Sequence, residues 1–292
     1  MHASHDHRRA ILLMLVGLAL LLCLDASGKY LGAQGVPVGA STWSRYFGHF
    51  LVVLAIFSGR DGVRLFRPRR AWVQWVRGVM MVGVTLFYFA ALGYVPLAEG
   101  TAIFFLTPIL TTILSSWFLH ERPGRWTIVS IALGFCGVLI VVRPGSQVPL
   151  TGVLLVLGAA CCNAAYQTLT RAASASDSAP ERSSTQLMYA GLVGALLMTL
   201  AVPLWWTPGW YLDKSLITWF VFLMTGVLGA LGHLLLIRAY RLAQATVIAP
   251  WMYMQLLLSV AIGWLVFGAV PDTVTLVGML VIGVSPQLTR LK

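Results

Sequence analysis

The sequence predicts an all-α integral membrane protein of ten transmembrane helices, built as two inverted five-helix repeats with both the N- and C-termini cytoplasmic. Three observations lead there. Of the 292 residues, 59% are hydrophobic and 10% charged, with mean hydropathy +0.84. A soluble domain carries about 25% charged residues, so lipid has to cover part of this surface. Ten runs are apolar and long enough for a spanning helix, which takes about 20 residues. Lysine and arginine are distributed unevenly between those runs.

In chain order the runs are 10–31, 38–58, 71–92, 98–119, 125–142, 150–170, 187–206, 215–239, 243–267 and 272–289. The first follows Arg8-Arg9 and resembles a signal peptide, with Ala26-Ser27-Gly28 as a small-residue cleavage motif. Removing it would leave nine runs and an unmatched repeat, so it is expected to be retained. The third starts after Arg67-Pro68-Arg69-Arg70, and His120-Glu121-Arg122-Pro123 turns the fourth into the fifth. Arg143-Pro144-Gly145 closes the fifth, and a Ser- and Ala-rich loop at about 171–186 follows the sixth. Trp205, Trp206, Trp210 and Tyr211 follow the seventh as an interfacial anchor, and Gly268-Ala269-Val270-Pro271 separates the ninth from the tenth.

With a cytoplasmic N-terminus, 16 of the 20 basic residues fall on the cytoplasmic side. Arg60, Arg64, Arg77, Arg182 and Arg238 are among them, whereas Lys29, Arg45, Arg143 and Lys214 fall on the other. The net charge of +11 therefore reads as topology-setting arginines beside anionic lipid, with no nucleic-acid partner. Cys23, Cys136, Cys161 and Cys162 all lie in apolar runs without metal-site spacing. They are expected to be reduced packing residues, with no metal or cofactor.

Residues 91–137 align on 239–285 at a constant shift of 148, turn on turn, with Ala91 on Ala239 and Pro123 on Pro271. A second shift of 138 sets Cys23-Leu24-Asp25 on Cys161-Cys162-Asn163. The division is a tail at 1–9, a first repeat at 10–145 and a second at 146–292. Five runs per half is an odd number, so the second half enters the membrane from the opposite side, as in transporters that alternate access around a midplane site.

Ala91-Leu92-Gly93-Tyr94-Val95-Pro96-Leu97-Ala98-Glu99-Gly100-Thr101-Ala102-Ile103, with Pro108 and His120-Glu121-Arg122-Pro123, resembles the first half of the drug/metabolite transporter superfamily, EamA type. Ala239-Tyr240-Arg241-Leu242-Ala243, with Ala249-Pro250 and Gly268-Ala269-Val270-Pro271, resembles its second half; Ala269 stands where a glutamate is common. The resemblance implies a secondary transporter of amino acids or other metabolites, with export favoured, in the cytoplasmic membrane. It also implies a cavity lined by spans 1, 3, 4, 6, 8 and 9, complete in one chain, so that a monomer suffices.

Polar side chains inside a span are costly, and each is a site candidate. Asp25 and Lys29 stand at i,i+4 in the first run, Arg45 and His49 in the second. Asp25 and Arg45 sit at similar depth, which offers an ion pair or a gate. An arginine close by keeps Asp25 ionised, so the candidate proton acceptors, if transport is proton-coupled, are His49 and His233. Thr101, Phe105, Pro108, Thr112 and Ser115 share one face of the fourth run, where Pro108 permits a kink. Asn163, Tyr166, Gln167 and Thr170 cluster in the sixth, and Gly226, Gly229, His233 and Tyr240 line up in the eighth. The ninth offers Pro250, a second kink candidate, with Tyr253 on one face, and Trp251 with Gln255 on another; Tyr88 adds an aromatic near the centre of the third. Substrate contact is expected from Tyr88, Thr101, Phe105, Asn163, Tyr166, His233, Trp251, Tyr253 and Gln255. No His-Glu-x-x-His, Gly-x-Ser-x-Gly or nucleotide loop is present, so no enzyme is expected. The partners are a small solute and the bilayer.

Overall fold

A computed structural model describes residues 2–118, 124–142, 149–174, 181–242, 254–268, 270–285 and 288. These residues are helical, without a strand among them. The helices are α1 (His2–Ala33), α2 (Val38–Asp61), α3 (Ala71–Ala91), α4 (Leu97–Phe104), α5 (Thr107–Phe118), α6 (Arg125–Val142) and α7 (Leu150–Ser174). They continue with α8 (Ser183–Leu200), the single turn α9 (Val202–Trp205), α10 (Leu216–Leu242), α11 (Met254–Phe267) and α12 (Thr273–Val284).

By length and composition, six helical segments among the described residues can cross a membrane: Arg8–Ala33, Ala71–Ala91, Glu99–Phe118, Leu150–Thr170, Ser183–Leu200 and Leu216–Ala239. Although α2 has 24 residues, about 36 Å at 1.5 Å per residue, it is not apolar enough to join them. Ser41, Thr42, Ser44, Arg45 and His49 form a polar face that is buried inside the protein. The outer surface is the reverse, with Leu204, Leu216 and Leu280 each at least two-thirds exposed; apolar surface on this scale calls for lipid.

Local chemistry places the helix ends. Gly35, at φ +71°, closes α1. The Val36 amide donates back to Leu31 O and the Gln34 amide to Tyr30 O, the turn that a left-handed glycine permits. At α12 the Asp272 carboxylate accepts the Thr275 amide at 2.9 Å. Asp272→Ala should cost about 1 kcal/mol, read as a lower melting temperature in detergent; an unchanged melt would exclude the cap as a contributor.

The fourth run is not one continuous helix. It breaks at Phe105–Leu106, between α4 and α5, because Pro108 has no amide to offer the preceding turn. The seventh likewise stops at Leu200 and restarts for one turn over Pro203. The single face expected from Thr101 to Ser115 is thus split between two helices. The cysteines depart from expectation as well: Cys23, Cys136 and Cys161 are exposed and Cys162 half-buried, so most face outward.

Packing is between distant parts of the chain. α10 lies along α1 and α2, α3 along α7 and α8, α2 on α8, and α6 on α12, while α4 touches α7 and α11. The α2–α10 crossing is backbone on backbone. A Cβ built on Gly226 would stand 2.5 Å from Gly48 Cα, so only glycine fits.

Candidate functional site

A row of buried polar groups runs through the contacts of α2, α3, α7, α8 and α10. Arg45, 6% exposed, donates from Nη1 to Thr85 Oγ1 of α3. Its guanidinium lies 5.2 Å from the centre of the Tyr46 ring and 6.0 Å from that of Phe89. The Tyr46 hydroxyl meets the same Thr85 hydroxyl at 2.6 Å and also donates to Met81 O. The Nε of Arg45 is buried without a hydrogen-bond partner.

His49 places Nε2 3.2 Å from Leu187 O of α8. Its ring centre is 6.4 Å from that of His233 of α10, whose own Nε2 is buried without a partner. Gly229, one turn before His233, lies beside Arg45. The aligned face of α10, Gly226 to His233, is therefore turned toward α2.

Eight residues before Thr85, about 12 Å along α3 at 1.5 Å per residue, stands Arg77, 2% exposed. It donates from Nε to Thr170 Oγ1 at 2.9 Å, from Nη2 to the Tyr166 hydroxyl at 3.3 Å and from Nη1 to Gln74 Oε1. It also lies 4.9 Å from the centre of the Tyr166 ring. Gln74 is fully buried, and its Nε2 has no partner. From sequence alone Arg77 counts with the cytoplasmic loop charges, and Gln74, Tyr46 and Thr85 fall outside the site. The signal for the first pair was there: Gln74 and Arg77 are three residues apart on one face of an apolar run.

The expected ion pair between Asp25 and Arg45 is not formed. Arg45 is turned to α3 and the half-buried Asp25 makes no hydrogen bond among the described residues, although the two remain within electrostatic reach. Lys29 does not join Asp25 either. Its Nζ donates to Val95 O at 3.0 Å and lies 5.4 Å from the centre of the Phe267 ring of α11, within electrostatic reach of Glu99. Tyr88 and Thr101 meet, hydroxyl to hydroxyl at 3.2 Å, and join α3 to α4. Phe105, at the helix break, is half-buried, as are Asn163 of α7 and Gln255 of α11. Pro108 stands in the first turn of α5. Pro250, Trp251 and Tyr253 lie outside the described residues.

A cavity of about 480 Å³ opens where the C-terminal ends of α2 and α10 meet the N-terminal end of α8. Arg60, Arg64, Arg182 and Arg238 line it against a single acid, Asp61. Leu187 and Leu234 also line it; the first supplies the carbonyl beside His49 and the second follows His233 in the chain. No group of three or more metal-ligating side chains occurs among the described residues.

Comparison with known proteins adds three findings. The sequence profile of the EamA-like transporter family matches this chain twice, over residues 8–143 and 150–288. A riboflavin transporter of Vibrio cholerae is 28% identical over 91% of this chain and 87% of its own. A pseudopaline exporter of Pseudomonas aeruginosa is 29% identical over 74% of each chain, and an S-adenosylmethionine uptake transporter of Rickettsia bellii 27% identical over 88% of this chain and 85% of its own. One solved crystal structure superposes with a TM-score of 0.70 over 97% of both chains at 21% identity, which speaks for the fold alone.

Proposed function

Because the chain belongs to the EamA-like transporter family, we propose that it is a secondary transporter that exports amino acids or related small metabolites by alternating access. It is a multi-pass protein of the inner membrane and a small-molecule transporter, as the family and its relatives are. The names of the relatives point to carriers and not to enzymes.

The observation that carries the cargo class is the separation of Asp25 from Arg45. A buried donor without an acceptor is expensive, and here the buried Arg45 guanidinium keeps an Nε–H without one, while the half-buried Asp25 carboxyl lies within electrostatic reach and is hydrogen-bonded to no described residue. A zwitterion supplies the missing ammonium and carboxylate together. Tyr46, Tyr88 and Phe89 around these groups suit an apolar side chain.

Two further observations support ten spans in two inverted halves with cytoplasmic termini. The family profile matches once per half, and the helix contacts repeat when each span is exchanged for the span five places on. Contact of spans 1 and 8 (α1, α10) corresponds to that of spans 6 and 3 (α7, α3), and contact of spans 2 and 8 (α2, α10) to that of spans 7 and 3 (α8, α3). Rocking one half against the other would open the row to each side in turn. The second reading, a carrier for a vitamin or another metabolite in either direction, is favoured by the riboflavin and S-adenosylmethionine transporters among the relatives.

Counterflow into proteoliposomes preloaded with pooled amino acids should be saturable and sensitive to competitors. Folded protein that exchanges vitamins or nucleosides but no amino acid would exclude the amino-acid reading. His233→Ala and Asn163→Ala should slow exchange severalfold with the fold intact. Wild-type kinetics in both would remove them from the site.

A further inference from the structure

Arg77 is a buried cation for which the described residues supply no anion. Its acceptors are the Thr170 hydroxyl, the Gln74 amide oxygen and the Tyr166 hydroxyl, all neutral. A guanidinium has five N–H donors, and three are engaged here, so the planar fork has donors to spare. Beside it the fully buried Gln74 holds an amide Nε2 that meets no acceptor. At the other end of the row the Arg45 Nε–H is in the same condition. Buried donors without acceptors carry the full cost of desolvation. A fork of this kind is matched by the paired oxygens of an ionised acid.

The arginine-lined cavity points the same way by a different route. Four guanidiniums against one carboxylate, around about 480 Å³, raise the local concentration of anions. The volume suits a small solute. One of its lining residues, Leu187, presents the carbonyl that His49 meets, and Arg77 is within electrostatic reach of His233.

We propose that the cargo carries an ionised oxyacid group, a carboxylate or a phosphate, and that Arg77 together with Gln74 receives it at one station of the row before it passes to Arg45. This rests on the transporter reading and names the chemistry that its interior selects. Arg77 donates two parallel hydrogen bonds from its fork, Gln74 adds a third from its amide, and Tyr166 and Thr170 hold the guanidinium in place. A lysine at position 77 supplies the charge without the fork and should substitute only in part.

The test is counterflow with a 13C-labelled bacterial metabolite extract, split on an anion exchanger at alkaline pH. There amines are neutral and every acid, zwitterions included, is retained. Exchange is expected from the acid fraction and not from the acid-free one. Arg77→Gln should lower it at least tenfold and Gln74→Ala severalfold, with Arg77→Lys in between. Phosphatase treatment of the acid fraction separates the two sources: exchange that survives assigns a carboxylate, and exchange that is lost assigns a phosphate ester. Exchange carried by the acid-free fraction would overturn the inference and leave the transporter reading intact. So would wild-type exchange of acids by Gln74→Ala and Arg77→Lys, both eluting as folded protein. Exchange with neither fraction, from folded wild-type protein, would remove the transporter reading and the inference with it.

Discussion

Arg45→Gln should slow exchange on the order of 100-fold or more in protein that still elutes as a folded species. The side chain is buried, yet its fixed contacts are one hydroxyl, Thr85, and the faces of Tyr46 and Phe89. Glutamine keeps a donor near Thr85 and removes the charge, so the packing of α2 on α3 survives while the counter-ion for a cargo carboxylate is lost. Asp25→Asn should act on the ammonium end with similar size. If the two residues hold opposite ends of one molecule, the double variant should be little worse than the worse single one, because residues acting on one ligand are not additive. Rates of counterflow for the same labelled solute in all four proteins decide it. Near-wild-type exchange by Arg45→Gln would reduce Arg45 to a packing residue.

The second large effect is expected at the α2–α10 crossing. Gly226→Leu should yield no monodisperse protein, and Gly226→Ala should lower stability by roughly 1–3 kcal/mol, the range for an over-packed contact. A Cβ at 226 meets Gly48 Cα at 2.5 Å and its carbonyl carbon at 2.6 Å. Those are backbone atoms that no rotamer change can move aside. Gly59→Ala in α2 is the control, since nothing lies within 4 Å of the Cβ it adds, and alanine is the better helix former. Melting curves and gel filtration in detergent separate the cases. A Gly226→Ala protein as stable as Gly59→Ala would mean that the helices relax apart at no cost.

Helices and their ends were legible because the bilayer imposes a length and leaves backbone groups no outlet but the helix. Less legible was the direction in which each side chain points around its axis. Rise per residue puts Asp25 and Arg45 at one depth, but azimuth depends on neighbours, and Arg45 faces Thr85 of α3. Arg77 was hidden by its place near the end of a run, where an arginine reads as a loop charge; only packing of α3 on α7 buries it against Tyr166. Pro108 announced an interruption, but not that the helical run would end at Phe104, four residues ahead of it. The glycines of α10 were visible as a face, whereas nothing in the sequence singled out Gly48, the partner that makes Gly226 indispensable, from Gly39 and Gly59 of α2.

The break at Phe105–Leu106 has a mechanical consequence. An unbroken helix behaves as a stiff rod, and a push on one end arrives at the other. A span made of two short rods joined at a bend does not transmit that push. The segment held by Tyr88 through Thr101 can stay docked on α3 while the segment from Thr107 to Phe118 swings with its own neighbours. Each half of the span then has its own lever, and one end can loosen without wrenching the other.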